Sequence, residues 1–180
     1  MRCFGDGDPL YESYHDTEWG VPVRDDAALL ERFCLEAFQS GLSWLTILRK
    51  RDAFRAAFAD FDPVAVAAFD DDVARLLGDA RIVRNQAKIA AAIADARAVL
   101  GLWDAGTSLT DLVWSFAPPP RPSRPTTWAE VPSTTPESVA LAKALKAAGF
   151  RFIGPTTAYA SMQACGLVDD HLAGCTTFSR

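Results

Sequence analysis

Four things are scarce in this chain. There is no apolar run of membrane-spanning length, which argues against a transmembrane helix. The N-terminal stretch MRCFGDGD is acidic and glycine-rich, so it reads as neither a signal peptide nor a transit peptide. A cytoplasmic location is therefore expected, with the four cysteines reduced rather than paired. Net positive charge is also lacking: the formal balance is −5, which by itself weighs against a polyanionic partner. Segments alternating with period two are absent, and the chain reads as all-α.

The fourth scarcity is histidine, of which there are two, each near a cysteine and at opposite ends of the chain. Cys3 is followed by His15, and His171 by Cys175. Two thiolates and two imidazoles are what a closed tetrahedral zinc site uses. If they meet, the metal joins the two ends of the chain. Scattered His and Cys without metal are the competing reading, since the spacings are not those of a local zinc finger. Four protein ligands would make the zinc structural, because a catalytic zinc keeps a position open for water. Cys34 and Cys165 lie in apolar helical patterns and read as buried small hydrophobes.

At 180 residues, 49% hydrophobic and 23% charged, the chain has ample material for one domain, residues 1–180, with room for two helical lobes. Asp25 or Asp26 caps a helix through Leu29, Leu30, Phe33, Cys34, Ala37 and Phe38 that stops near Gly41. A second helix begins at Ser43. Asp62-Pro63 is a cap followed by proline at the first helical position. Short helices are expected over residues 64–69 and 73–77, then a longer one over 86–100 and another short one over 109–116. The proline-rich segment 117–125 reads as an extended linker. Thr135-Pro136-Glu137 starts a helix that runs to Gly149, and the next helix opens at Thr156 or Thr157 and ends near Gly166. The Gly- and Asp-rich stretch around Tyr11 and Tyr14 reads as irregular.

Three places attract chemistry. Glu36 falls on the apolar face of its helix, where an unpaired carboxylate is costly; it either pairs with an arginine at the edge of the stripe or waits for a ligand. Tyr11 and Tyr14 crowd the N-terminal stretch and Trp44 follows a turn just after the Glu36 helix; flat aromatics around one carboxylate would suit a flat cationic ligand. Trp19 reads as core. Finally, the segment from Gly149 to Thr156 joins two helices, and a glycine-containing turn feeding a helix N-terminus can bind phosphate through backbone N–H groups.

Taken together, Tyr14-His-Asp-Thr-Glu-Trp-Gly-Val-Pro22, Cys34-Leu-Glu-Ala-Phe-Gln-Ser-Gly-Leu-Ser-Trp44, Phe61-Asp-Pro, Phe150-Arg-Phe-Ile-Gly-Pro-Thr156 and Met162-Gln-Ala-Cys-Gly-Leu-Val-Asp-Asp-His171 resemble the DNA-3-methyladenine glycosylase I family, of the helix–hairpin–helix superfamily. The resemblance spans essentially the whole chain. It implies a helix–hairpin–helix glycosylase fold and excision of 3-methyladenine from alkylated double-stranded DNA. It also implies one structural Zn2+ on Cys3, His15, His171 and Cys175. The implied base pocket falls on Glu36, Tyr14 and Trp44 with Tyr11 nearby, Glu36 receiving the hydrogen bonds of the base. Leu42, after Gly41, would fill the gap left by an extruded base, and Ile153, Gly154, Pro155 and Thr156 would carry the hairpin contact with DNA. No lysine lies near these pocket residues in sequence, so a monofunctional hydrolase is expected. No extra apolar face calls for a second copy, so the chain is expected to act as a monomer.

Two places depart from the family pattern. Phe4 stands where a tryptophan is usual and would serve as a pocket wall, in a stretch one residue shorter. Arg81 stands where glycine is usual, and Gln86 where a basic residue is usual. Two other readings remain: a zinc-clasped protein that binds damaged DNA without catalysis, and a zinc hydrolase using the same four ligands.

Overall fold

The computed structural model describes residues 2–5, 7–70 and 72–176. Among them nine α-helices and no strands are found: α1 (Pro9–Thr17), α2 (Asp26–Gln39), α3 (Trp44–Ala57), α4 (Pro63–Ala67), α5 (Asp72–Gly78), α6 (Gln86–Asp104), α7 (Leu109–Trp114), α8 (Pro136–Ala147) and α9 (Pro155–Ala164). The all-α expectation is met. None of these helices is long and apolar enough to cross a membrane.

Helix α2 is the axis of the molecule and packs on α3, α6, α7 and α9. Every residue from Phe33 to Phe38 is buried, so the second half of α2 has no solvent face. A helix enclosed on all sides carries apolar residues all round. Glu36 is the exception, and that sets it apart. On one flank Phe38, Phe54, Phe58 and Phe61 stack, with the Phe58 and Phe61 rings 5.4 Å apart and nearly parallel. This stack accompanies a turn that sequence patterns do not announce: Ala59, Asp60 and Phe61 are all left-handed, at φ 48°, 54° and 58°. Burial of Phe58 and Phe61 in the core offsets the strain of three non-glycine residues there.

The helix starts follow local chemistry. Asp25 caps α2, Ser43 caps α3, Asp62 caps α4, Asn85 caps α6 and Thr135 caps α8. In α8 the reciprocal capping partner is Ser138 at the third position. Asp26 acts at longer range. It accepts hydrogen bonds from the Leu109 and Thr110 backbone N–H groups, capping α7 from across the fold. The stretch expected to be irregular around Tyr11 and Tyr14 is instead helix α1. Asp8 caps it and Pro9 occupies its first position, the same signal as at Asp62-Pro63.

The segment 117–125 contains no helix and is more than a spacer. Arg121 forms an ion pair with the buried Asp170, Arg124 pairs with Asp169, and the Pro125 carbonyl accepts the Ala173 N–H. The C-terminal segment is thereby held against the body of the molecule. Two glycines close the same region. Gly20 and Gly166 are left-handed (φ 80° and 73°), and a Cβ on Gly166 would stand 2.6 Å from the Gly20 carbonyl oxygen. Only glycine permits that approach.

Candidate active site and metal cluster

The start of α1, the middle of α2, the first residue of α3 and the face of α9 converge on a cavity of about 270 Å³. Its walls include Phe4, Tyr11, Tyr14, Trp19, Trp44 and Trp128, and Glu36 lies among them. Tyr14 and Trp44 rings are 5.2 Å apart, and Phe4 stands 4.9 Å from Tyr11 and 5.1 Å from Trp19. The aromatic residues expected around Glu36 are thus brought together, with Phe4 in the wall.

Glu36 is 7% exposed and has no hydrogen-bond or ion-pair partner among the described residues. Burial pushes its carboxyl up to about 8, with the Arg32 charge pulling the other way. No arginine pairs with Glu36 among the described residues: Arg32, one turn before it on α2, donates to Glu18 at 2.7 Å, and Arg51 pairs with the same carboxylate. Tyr14 is raised well above the ordinary phenol value, first by burial and then by Glu36. It is therefore a neutral hydroxyl at neutral pH. The Trp44 indole N–H is buried with no partner. A buried carboxyl and a buried donor with nothing to bind are costly in a closed core and are what a ligand pocket presents.

Several wall residues were not legible beforehand. Trp19, read as core, is buried, but its ring lies between the cavity and His171, 4.6 Å from the imidazole. Trp128 sits in a short turn of 3-10 helix beyond the proline-rich segment, and no local pattern marks it. Gln39 follows Glu36 by three residues on α2, a spacing that places both on one side. Gln163 donates its amide to Asp170, at 2.8 Å, and Asp170 also accepts from the Tyr159 hydroxyl. With its nitrogen held there, the Gln163 carbonyl is left as an acceptor at the cavity wall.

The expected wedge follows α2 directly. Gly41 is left-handed at φ 84°, and Leu42 is 42% exposed, among the few large apolar residues left open to solvent. The turn between α8 and α9 carries Phe152 at φ 63° and Gly154 as the exposed N-cap of α9. Pro155 is the first residue of that helix, and no side chain caps its N–H groups. Asp95 of α6 accepts the Arg151 N–H at 2.7 Å and so pins the turn. Burial pushes the Asp95 carboxyl up to about 7. At the departure from the family pattern, Arg81 is not left-handed, so its position does not demand glycine. It pairs with Asp79, and Lys50 donates to its carbonyl.

Behind Trp19 the two ends of the chain meet. The ligand atoms of Cys3, His15 and Cys175 lie within 4.8 Å of one another, a group that could hold a metal ion. His171 does not fall within that spacing, but its ring is 5.2 Å from that of His15. Its Nε2 is buried without a partner, while Nδ1 is held by Asp169 at 2.9 Å. His15 Nδ1 is held the same way by Asp16. His15, with Nδ1 on a carboxylate and Nε2 3.4 Å from the Cys175 thiol, has the arrangement of a metal-binding imidazole. The donor set therefore fits a thiophilic divalent ion. None of these four residues lines the aromatic cavity.

Comparison with known proteins agrees with this geometry. A family model for methyladenine glycosylase matches residues 4–178. The chain is 51% identical over 173 residues to DNA-3-methyladenine glycosylase 1 of Escherichia coli K12, covering 95% of this chain and 92% of that protein. A crystal structure of 3-methyladenine DNA glycosylase I superposes with a TM-score of 0.95 at 48% identity, covering 99% of this chain and all of the other. The Staphylococcus aureus enzyme, described for its recognition of 3-methyladenine, superposes at 0.93 with 35% identity, over 99% of this chain and 96% of its own. With residues 4–178 matched and the pocket assembled, this chain belongs to the methyladenine glycosylase family.

Proposed function

We propose that this protein excises 3-methyladenine from alkylated duplex DNA by hydrolysing the N-glycosidic bond, leaving an abasic site. The observation that carries this reading is Glu36: a buried carboxyl without a protein partner, enclosed by Tyr14, Trp44 and four further aromatic rings. Methylation at N3 makes the adenine cationic and a good leaving group. A cation entering the pocket favours the ionised form of Glu36, reversing the effect of burial. The carboxylate then accepts hydrogen bonds from the amine edge of the base, while the aromatic faces hold the ring by stacking and cation–π attraction. The Gln163 carbonyl offers a second acceptor.

The reaction follows from base extrusion. The turn at Ile153, Gly154, Pro155 and Thr156 binds the backbone through N–H groups at the start of α9, as a helix–hairpin–helix element would. Leu42, presented by Gly41, takes the place of the departed base in the stack. The C1′–N9 bond breaks, its electron pair leaves with the base, and the base departs neutral. Water adds at C1′ and its proton passes to solvent. Because the leaving group is good, the pocket needs to supply orientation and charge more than a strong general base.

No lysine lines the cavity, and the amine of Lys88 is committed to two backbone carbonyls. Among the described residues a Schiff-base lyase step therefore has no lysine nucleophile at the cavity, which supports a monofunctional enzyme.

Cys3, His15, His171 and Cys175 would together hold one Zn2+, which supplies a structural tie between the chain ends. Separation of these residues from the cavity by Trp19 argues against a zinc-activated water. Reduced thiolate ligands suit a cytoplasmic protein. We read the protein as a monomer, one glycosylase domain with the pocket between two helical lobes.

Release of free base from methylated duplex DNA, resolved by base, tests this reading. The wild type should release 3-methyladenine and Glu36→Gln should release far less. A folded wild type that binds methylated DNA but releases nothing would establish the binding-only alternative instead.

A further inference from the structure

Lys88 is a buried cation that belongs to neither the aromatic cavity nor the metal cluster. It lies in the first turn of α6, anchored by its own N–H to the cap Asn85. No carboxylate pairs with it among the described residues. Its Nζ instead donates to the Phe38 carbonyl at 2.9 Å and to the Ser40 carbonyl at 2.7 Å. These belong to the last turn of α2, where helix carbonyls lack internal partners and the negative end of the helix dipole lies. Ser40 is the residue before Gly41 and Leu42. Above the same ammonium, 5.9 Å away, sits the ring of Phe152, which is 46% exposed and held left-handed in the turn before Ile153. One cation thus touches the end of the pocket helix, the base of the wedge and the turn assigned to DNA contact.

We propose that Lys88 is a positioning residue that fixes the Gly41–Leu42 wedge relative to the Phe152–Pro155 turn, so that docking on the backbone delivers the wedge into the base stack. The inference rests on the reading of Leu42 as the wedge. A flexible glycine at φ 84° cannot by itself aim an exposed leucine; the two carbonyl contacts just before it restrict the segment from which it springs. The aliphatic stem of Lys88 is covered, which burial of a lysine requires, and desolvation lowers its ammonium below the ordinary lysine value.

The test compares substrates. A wedge matters where a base must be pulled from a duplex and its gap filled, and much less where the strand is already single. Lys88→Met should lower excision of 3-methyladenine from duplex DNA by about tenfold or more, the scale of a misplacement near the reacting centre. Excision from single-stranded methylated DNA, and binding of free 3-methyladenine followed by tryptophan fluorescence, should stay near wild type. Lys88→Gln, which keeps one N–H donor, should fall between the two and serves in place of the methionine variant if that one does not fold. Leu42→Ala is measured in parallel. Equal losses on both substrates, or no loss on either, would overturn the role of Lys88. If Leu42→Ala itself shows no preference for the single strand, the wedge reading fails, and that outcome is distinct from an intact wedge that ignores Lys88.

Discussion

Glu36→Gln should stabilise the protein while it disables it. Burial raises the Glu36 carboxyl from 4.5 to about 8, so the folded state holds a proton that the unfolded chain would release. Stability therefore falls as pH rises between those two values, because the folded state binds more protons there. Below the lower value the side chain is protonated in both states and no penalty exists. At pH 7 the penalty integrates to about 3 kcal/mol, rising to roughly 4 kcal/mol near pH 8. Glutamine is uncharged and nearly the same shape, so it removes the penalty without opening a cavity. Urea denaturation of both proteins gives the difference from the midpoints, with the slope unchanged. The gap in favour of Glu36→Gln should be about 1 kcal/mol near pH 5 and about 3 kcal/mol at pH 7, the latter worth about 6–12 °C in Tm for a chain of this size. A difference that does not grow with pH, or a glutamine variant less stable near pH 8, would refute the reasoning. The same balance predicts that a cationic base on entering the pocket expels a proton from Glu36, measurable as proton uptake by buffers of different ionisation heat.

Three further outcomes follow from the geometry. Purified protein should carry about one zinc per chain; Cys175→Ser should lose it and melt at lower temperature, and excess chelator should lower the Tm of the wild type but not of the variant. Gly166→Ala should cost at least about 2 kcal/mol in urea denaturation, since it combines a left-handed backbone with a Cβ 2.6 Å from the Gly20 carbonyl oxygen. Gln163→Leu should weaken binding of 3-methyladenine about fivefold, one neutral hydrogen bond, in a fluorescence titration; an unchanged affinity would show that its carbonyl does not face the base.

Some of this molecule is written in local chemistry. Asp25, Ser43, Asp62, Asn85 and Thr135 each satisfy N–H groups a few residues away, so the helix starts they make need no tertiary partner. Glu36 could be singled out because a carboxylate on an apolar helix face is anomalous wherever the helix packs. Helix α1 was legible in principle from Asp8-Pro9, yet the glycines and acids around it mask the signal. Other features depend on what stands across the fold. Arg32 stands one turn before Glu36 on α2 yet donates to Glu18, and only the fold decides which of two carboxylates a guanidinium serves. The same holds for Asp26 capping α7, for Trp128 closing the cavity and for Lys88 capping the end of α2. The sequence by itself determined the helical class, most of the helix starts and the anomaly of a carboxyl on the apolar face of α2, because those rest on interactions within a few residues. Tertiary structure alone decided which charges pair, which aromatics become walls and how closely His171 approaches the other three metal-binding residues, because those contacts join residues far apart in the chain and exist only once the helices have packed.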